Sequence, residues 1–557
     1  MSSNSTSSLY RNETIQSMQG QEFDLLVIGG GATGAGIALD AAARGLKTAL
    51  VEKRDFASGT SSKSTKLIHG GLRYLKQLDI ALVRETGTER AIVHRLAPHL
   101  VLPEKMLMPL IKNGTYGYWS TSFGLWIYDV LAKVKGDDRR RMLSKEQALN
   151  YEPLLDDSIL KGGGFYAEYR TDDARLTIEL LKTAVRKGGL ALNYTQALDF
   201  IYDDEGKVRG ASVQDNITNK IFPIKAKRVV SASGPWVDKL RKKNGSLSGK
   251  RLHLTKGVHL VFPHHKIPLK HTLYFDVPDG RMVFAIPRGK VTYVGTTDTN
   301  YTGDLNRVVA TKDDAVYLLN AVNHALPTLK VDKNDIISNW AGLRPLIHED
   351  GKSPSELSRK DEIFVSDTGL ISIAGGKLTG YRKMAQRIVD LVDEQLPEPF
   401  GPCPTKDIPL TEDALKDAKA VEEYIQEIED QIKKLGLISY YGWYLVTTYG
   451  KQSEIILEKM QAYDSDPPNI ALIRAETWFG VHHEMVNSVD DLLVRRTGRL
   501  YFDIESIPPA LDIVLADMKN YLNWDEKRTQ AEQERMELLL KDATTYYDKE
   551  MEATSVV

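Results

Sequence analysis

The stretch FDLLVIGGGATG, residues 23–34, decides how this chain folds. Phe23 to Ile28 is a short apolar run of buried-strand type. Gly29, Gly30 and Gly31 follow, then Ala32, Thr33, Gly34 and an alanine-rich helical stretch, AGIALDAAARG. The spacing predicts a strand, a tight turn and a helix folded back on the strand. Gly29 permits the turn, Gly31 lets backbone approach a pyrophosphate, and Gly34 lets helix and strand close up. The helix aims its N-terminal N–H groups and positive dipole end at the phosphates. A second apolar run, KTALVE, ends on Glu52, where a carboxylate reaches ribose hydroxyls. Together these parts specify a bound dinucleotide, and by themselves leave NAD and FAD both open.

Two later segments have the same form. KRVVSASGPW (227–236) is an apolar strand ending in a small-residue turn at Gly234, and LISIAGGKLTGYR (370–382) is a strand, a glycine pair and a helix start. They predict one sheet assembled from distant parts of the chain. Between them, HLVFPHH, TLYFDVPDGRMVFAIPRGKVTYVGTT and EIFVSD alternate in polarity around PDG and RGK turns, the pattern of an antiparallel second domain. A proline-rich linker, LPEPFGPCP (396–404), precedes helical repeats of polarity from 405 to 557. The expected organisation is a tail over 1–21; a cofactor domain over about 22–100, 150–240 and 345–395; a substrate domain over about 101–149 and 241–344; and a helical cap over 405–557. The polar first 21 residues, without an apolar core segment, read as a mobile tail and no signal peptide.

Composition narrows the function classes. The net charge of −2 gives no electrostatic case for nucleic acid. Cys403 is the single cysteine, which removes an intrachain disulfide, a cysteine-rich zinc site and the disulfide-reductase flavoproteins that share the N-terminal fingerprint. A reducing, cytoplasmic compartment fits. No run approaches the ~18–20 apolar residues of a membrane span.

SGTSSKSTKLIHGGLRYL (58–75) follows the strand that ends on Glu52. It is too polar and glycine-rich for core, and its hydroxyls and N–H groups suit a pyrophosphate and a flavin ring. With IGGGATGAGIALDAAARGL before it, and APHLVLPEKMLMPL, TDDARLTIEL, SASGPWVDKL, LTKGVHLVF, YVGTTDTNYTGD, AGLRPLIHED and IAGGKLTGYRKMA after it, the chain resembles the FAD-dependent glycerol-3-phosphate dehydrogenases. The blocks occur in the expected order over roughly residues 20 to 390.

The resemblance implies an α/β and α+β architecture: a Rossmann-like FAD domain of the glycine-oxidase type, an antiparallel substrate sheet over the isoalloxazine and a helical C-terminal domain. It implies noncovalent FAD, held by the fingerprint glycines with Thr33, by Glu52 and Lys53, by Thr60, Ser61, Ser62, Lys66, Leu67, His69, Gly70 and Gly71, by Gly234, and by Gly376, Leu378 and Thr379. Substrate oxidation would move a hydride from C2 of glycerol 3-phosphate to flavin N5, with electrons passing to quinone. The phosphate needs fixed cations, and arginine is the best fork for it; Arg73, Tyr74 and Arg359 are candidates by similarity. His259, Arg344 and Lys377 are candidates for the hydroxyl end. His259 is the favoured base, against a reading as a core histidine on a strand flanked by Leu260 and Phe262; the alternatives put the base at Arg344 or at a water. Arg344 is read in a turn after a strand. Lys377 at a helix start runs against the dipole and so suggests an anion, substrate or reduced flavin. Asp172, Asp173 and Arg175 read as a local turn or helix start.

For the acceptor, the related oxidases carry an extra block before the helical part, and none is visible here. TYGYWSTSFGLWIYDVLAKVKGDDRRR (115–141) sets Trp119, Phe123, Trp126, Ile127 and Val130 at helical spacing, followed by basic residues including Lys133 and Lys135. It reads either as a core helix with a charged end or as an interfacial helix on the inner face of the cell membrane. A homodimer is compatible with the sequence.

Overall fold

The computed structural model describes residues 5–69, 80–131, 138–348 and 361–549. Gly70, Gly71, Arg73, Tyr74 and Arg359 lie outside them.

Two sheets share the first two-thirds of the chain. The cofactor sheet runs, in spatial order, Asp361–Val365, Ile371–Gly375, Ile221–Ser231, Glu22–Ile28, Thr48–Val51 and Leu190–Leu192. The four pairings from Ile371–Gly375 to Leu190–Leu192 are parallel. The three strand–glycine–helix segments are therefore immediate neighbours. Parallel strands need crossovers, and the helices Ala32–Arg44, Asp173–Arg186 and Tyr381–Asp393 supply packing on the sheet. Leu25, Leu26 and Val27 are fully buried, as expected of a strand covered on both faces.

Among the described residues the second sheet has ten strands, built around Leu102–Ile111, Leu160–Arg170 and the run from Leu252–Pro263 to Ser338–Ile347. Its pairings are antiparallel except for one, Thr272–Asp276 beside Leu102–Ile111. The PDG and RGK turns close hairpins here, with Gly280 and Gly289 at φ +78° and +57°. Leu160–Arg170 belongs to this sheet, which corrects the expected boundary at 150–240. Its GGGF start lets it pair with two strands at once, Leu102–Ile111 and Arg141–Ser144. From the linker onward the described residues are helical, from Ala418–Lys434 to Glu526–Thr544, apart from an isolated bridge between Thr311 and Tyr547.

The expected mobile tail is also corrected. Residues 11–19 form a helix whose Thr14, Ile15 and Met18 are buried. Arg11 is buried with them, and its guanidinium meets Asp215 at 2.6 Å and the Asn193 carbonyl at 2.7 Å. A polar composition concealed one buried face, because the charge on that face is paired inside the protein. Before this helix, Thr6 O accepts the Met485 N–H at 2.7 Å, and Ser8 Oγ donates to the Val486 carbonyl at 2.7 Å.

Candidate active site

The fingerprint forms the floor of a long cleft. Gly29 sits at φ +117°, beside the Ala232 backbone, and a methyl group on Gly34 would run into the Gly29 carbonyl. The tight turn and close helix packing follow directly from those two glycines. A Cβ on Gly30 would meet the Phe56 ring at 2.7 Å and Glu52 Cβ at 2.9 Å, so the turn packs tightly against the residues around it. Glu52 is fixed by two N–H groups, from Gly30 at 2.8 Å and Arg54 at 3.0 Å. Burial pushes its carboxyl up despite those donors. Ser61 Oγ accepts the Ala32 N–H at 2.9 Å, which ties the hydroxyl loop to the helix start.

The cleft holds about 410 Å³ and runs from Glu52, Lys53 and Trp236, past Gly31 and Thr33, to Gly376, Lys377 and Leu378. Lys53 lies over the Trp236 ring at 3.9 Å, and burial with the neighbouring Arg54 lowers its ammonium to about 8. An elongated groove with an acid at one end, a side-chain-free floor at a helix start and a glycine pair at the other end fits FAD. Gly29, Gly31, Thr33, Glu52, Lys53, Thr60, Ser61, Gly234, Gly376 and Leu378 line it.

A second cavity, about 150 Å³, opens from the far end and shares Thr60, Ser64, Pro345, Gly376, Lys377 and Leu378 with the cleft. His259, Arg344 and Lys377 all line it, with Leu67, His69 and Thr379. The three side chains arrive from different elements. His259 and Arg344 stand on adjacent strands, Leu252–Pro263 and Ser338–Ile347, and Lys377 precedes the short 3-10 turn Leu378–Gly380. Arg344 is thus within a strand, not in the expected turn; the register pairs it with Thr255. Its guanidinium donates to Thr296 Oγ1 at 2.9 Å and the Thr297 carbonyl at 3.2 Å, and meets Asp298 at 3.3 Å.

His259 keeps 1% of its surface. Its ring stacks on Trp340, centroids 4.6 Å apart and 12° from parallel. Burial, with the nearby Arg344 and Lys66 cations, holds it well below the usual histidine range, so the imidazole is neutral at physiological pH. Two glycines make room for these groups. A Cβ on Gly257 would strike the Arg344 guanidinium, and one on Gly295 would meet His259 Nε2 at 2.6 Å.

Gly30, Gly34, Ser62 and Lys66 were expected at the cofactor, and none of them lines the cleft or the cavity. Lys66 is 2% exposed and ion-paired with Asp173 at 2.6 Å. Asp173 also accepts the Ser64 N–H at 3.0 Å, so the pair anchors the hydroxyl loop from behind. Asp172 caps the helix after it, as expected. Sequence reasoning missed Trp340, Gly257, Gly295, Ser64 and Thr65. Ser64 and Thr65 lie inside the hydroxyl-rich motif and could have been singled out there.

Comparison with known proteins fits this geometry. Residues 24–382 match the family model described as FAD dependent oxidoreductase, and residues 403–529 match the C-terminal domain of alpha-glycerophosphate oxidase. The aerobic glycerol-3-phosphate dehydrogenase of Bacillus subtilis is 48% identical over 96% of this chain and 98% of its own length. The chain belongs to the FAD-dependent glycerol-3-phosphate dehydrogenase family. A second relative of that name, from Staphylococcus aureus, is 47% identical over 96% of this chain and 98% of its own. Among solved structures, the glycerol-3-phosphate dehydrogenase from Bacillus halodurans, complexed with FAD, superposes at a TM-score of 0.82 with 43% identity, covering 97% of this chain and 99% of that one. Glycine oxidase from Geobacillus kaustophilus, 22% identical at a TM-score of 0.51, covers 67% of this chain and 95% of its own and shares the fold.

Proposed function

We propose that the protein oxidises sn-glycerol 3-phosphate to dihydroxyacetone phosphate with FAD and passes the electrons to a membrane quinone. The observation that carries the reading is the convergence of His259, Arg344 and Lys377 on one small cavity that opens onto the dinucleotide cleft. FAD, when bound, supplies the acceptor for the hydrogen that leaves C2 with its electron pair. The protein's part is to bind, orient and deprotonate. Arg344 is held by Thr296, Thr297 and Asp298 with its fork already aligned, so it meets an anionic oxygen without reorganising. Lys377, beside a helix start, adds a second cation. Neutral His259 is the proton acceptor. Arg73, Tyr74 and Arg359 are assigned to the phosphate by similarity.

Membrane contact is supported by the helix Tyr118–Leu131. Leu125 and Tyr128 are buried, whereas Trp119 is 82% exposed, Phe123 61% and Trp126 50%. Exposed aromatics, with Phe123 stacked on Trp126, followed by exposed Arg139 and Arg141, suit the headgroup layer and not a core. Among the described residues no helix is long and apolar enough to cross a membrane.

Anaerobic addition of glycerol 3-phosphate to the flavin-loaded protein tests the first half reaction. Loss of oxidised-flavin absorbance is expected, with recovery on adding a quinone analogue; unchanged absorbance rejects the reading. A peroxide-forming oxidase is the second reading, supported by the match of the C-terminal part to the alpha-glycerophosphate oxidase domain. Faster turnover with oxygen than with quinone would select it.

A further inference from the structure

Among the described residues the imidazole of His259 makes one hydrogen-bond contact, to Thr65. Nδ1 is buried without a hydrogen-bond partner among the described residues, and Nε2 lies 3.0 Å from Thr65 Oγ1. Thr65 is half-buried and lines the same cavity as Arg344 and Lys377.

The contact is built from several sides. Tyr293 Oη donates to the Thr65 carbonyl at 3.1 Å, and Trp340 Nε1 donates to the Ser64 carbonyl at 3.3 Å. Those two aromatics also pack beside the histidine, Trp340 stacked on it at 4.6 Å and Tyr293 at 6.3 Å, with 5.4 Å between their own ring centres. The loop from the cofactor domain and the strand from the substrate domain are thus locked together at this point. The next residue, Lys66, holds a left-handed backbone at φ +57°. A non-glycine residue there costs about 1 kcal/mol or more and persists only when its surroundings fix it. The buried Lys66–Asp173 pair and the bond from Lys66 N–H to Ser64 Oγ at 3.0 Å do so. The turn that presents Thr65 is over-determined, as expected of a group whose position matters.

We propose that Thr65 is a catalytic residue of this site, its hydroxyl carrying the substrate's alcohol proton to His259. This rests on the oxidation proposed above. In the step, the alcohol O–H breaks as a new O–H forms on Thr65 Oγ1. The hydroxyl's own proton passes to Nε2, and C2 becomes a ketone carbon as its hydrogen and electron pair leave to FAD, the oxidant. Thr65 ends uncharged, and His259 later returns the proton to solvent. A hydroxyl can do this because it donates and accepts at once. The relay requires Nε2 to be the acceptor, with the imidazole proton on Nδ1.

Thr65→Val keeps the shape and removes the hydroxyl; Thr65→Ser keeps the hydroxyl. In anaerobic mixing of the flavin-loaded enzymes with glycerol 3-phosphate, Thr65→Val is expected to slow flavin reduction by about 100-fold, the usual worth of general acid–base catalysis, with little change in KM. Thr65→Ser should recover to within about fivefold of wild type. A Thr65→Val enzyme reducing its flavin at the wild-type rate overturns the proposal. Ring-nitrogen NMR of histidine-labelled protein, with His259 assigned by its loss in His259→Asn, needs no substrate. It should show the proton on Nδ1 and an Nε2 resonance that shifts in Thr65→Val. A proton on Nε2 in the wild type overturns the relay. If wild-type flavin is not reduced at all, the substrate reading fails and the NMR result still decides the Thr65–His259 contact.

Discussion

The dinucleotide cleft and the substrate cavity share six lining residues, yet they are made in opposite ways. The cleft is a backbone structure: glycines leave its floor bare, and Glu52 is set by two N–H groups. The cavity is a side-chain structure, whose working groups are held by other side chains from distant segments. Trp340 stacks His259, and Thr296 and Asp298 hold Arg344. Backbone sites tolerate little change in shape, and side-chain sites little change in chemistry.

Substitutions should separate the two kinds of failure. Gly34→Val puts bulk where even one methyl meets the Gly29 carbonyl. It should yield protein purified without flavin, read from its visible spectrum; a normal flavin content would break the comparison at once. Next comes the buried support behind the cleft. Asp55, three residues beyond Glu52, is bonded by Arg496 at 2.7 and 2.9 Å and by Arg495 at 2.5 Å, all from the helical cap and all buried. Removing one partner leaves an unpaired buried charge, so Arg496→Met should cost about 3–5 kcal/mol in urea unfolding. Burial alone would raise the Asp55 carboxyl, but Arg496 and Arg495 outweigh it and hold it below its ordinary value. That contribution is present above the unfolded value of 3.8 and is lost as pH falls through the lower folded one. The acid limb of the stability profile should therefore flatten in Arg496→Met.

In the cavity, Arg344→Ala should leave flavin content unchanged and slow anaerobic flavin reduction by at least ~100-fold, as for a lost transition-state donor. A full-rate mutant would remove Arg344 from the site. The smallest effect is in pH. Because His259 is held well below 6.5, the protonated form appears only under more acid conditions, and the acid limb of flavin reduction should lie below pH 6.5. A limb at or above that value would mean a different base. On the surface, Trp126→Glu should weaken vesicle binding while moving stability by no more than ~0.5 kcal/mol, as for an exposed position. Vesicle release indifferent to both salt and this change would end the membrane reading.

The same contrast explains what could be read from the chain. The fingerprint is local: strand, glycines, helix and acid lie within thirty residues, each with a conformational reason, so the cleft was legible from residues 23–52. The neighbouring strands ending at Ser231 and Gly375 were legible because they repeat that form. His259, Arg344 and Lys377 carry no local signature, and only family resemblance picked them out. Trp340 looks like any buried aromatic until the register sets it beside His259. Lys66 misled for the converse reason. The resemblance put it at the cofactor, but it pairs with Asp173, which stands more than a hundred residues away.

The order of strands in the cofactor sheet also bears on synthesis. The strand Glu22–Ile28 emerges early, but its neighbour Ile221–Ser231 and the next, Ile371–Gly375, leave the ribosome much later. Asp55 waits longer still for Arg495 and Arg496. The nascent chain thus carries an unfinished nucleotide domain through most of translation, with its strand edges open to chaperones or to aggregation. The residues that line the cleft extend to Met384, so a product truncated before that point has no completed groove to hold the flavin.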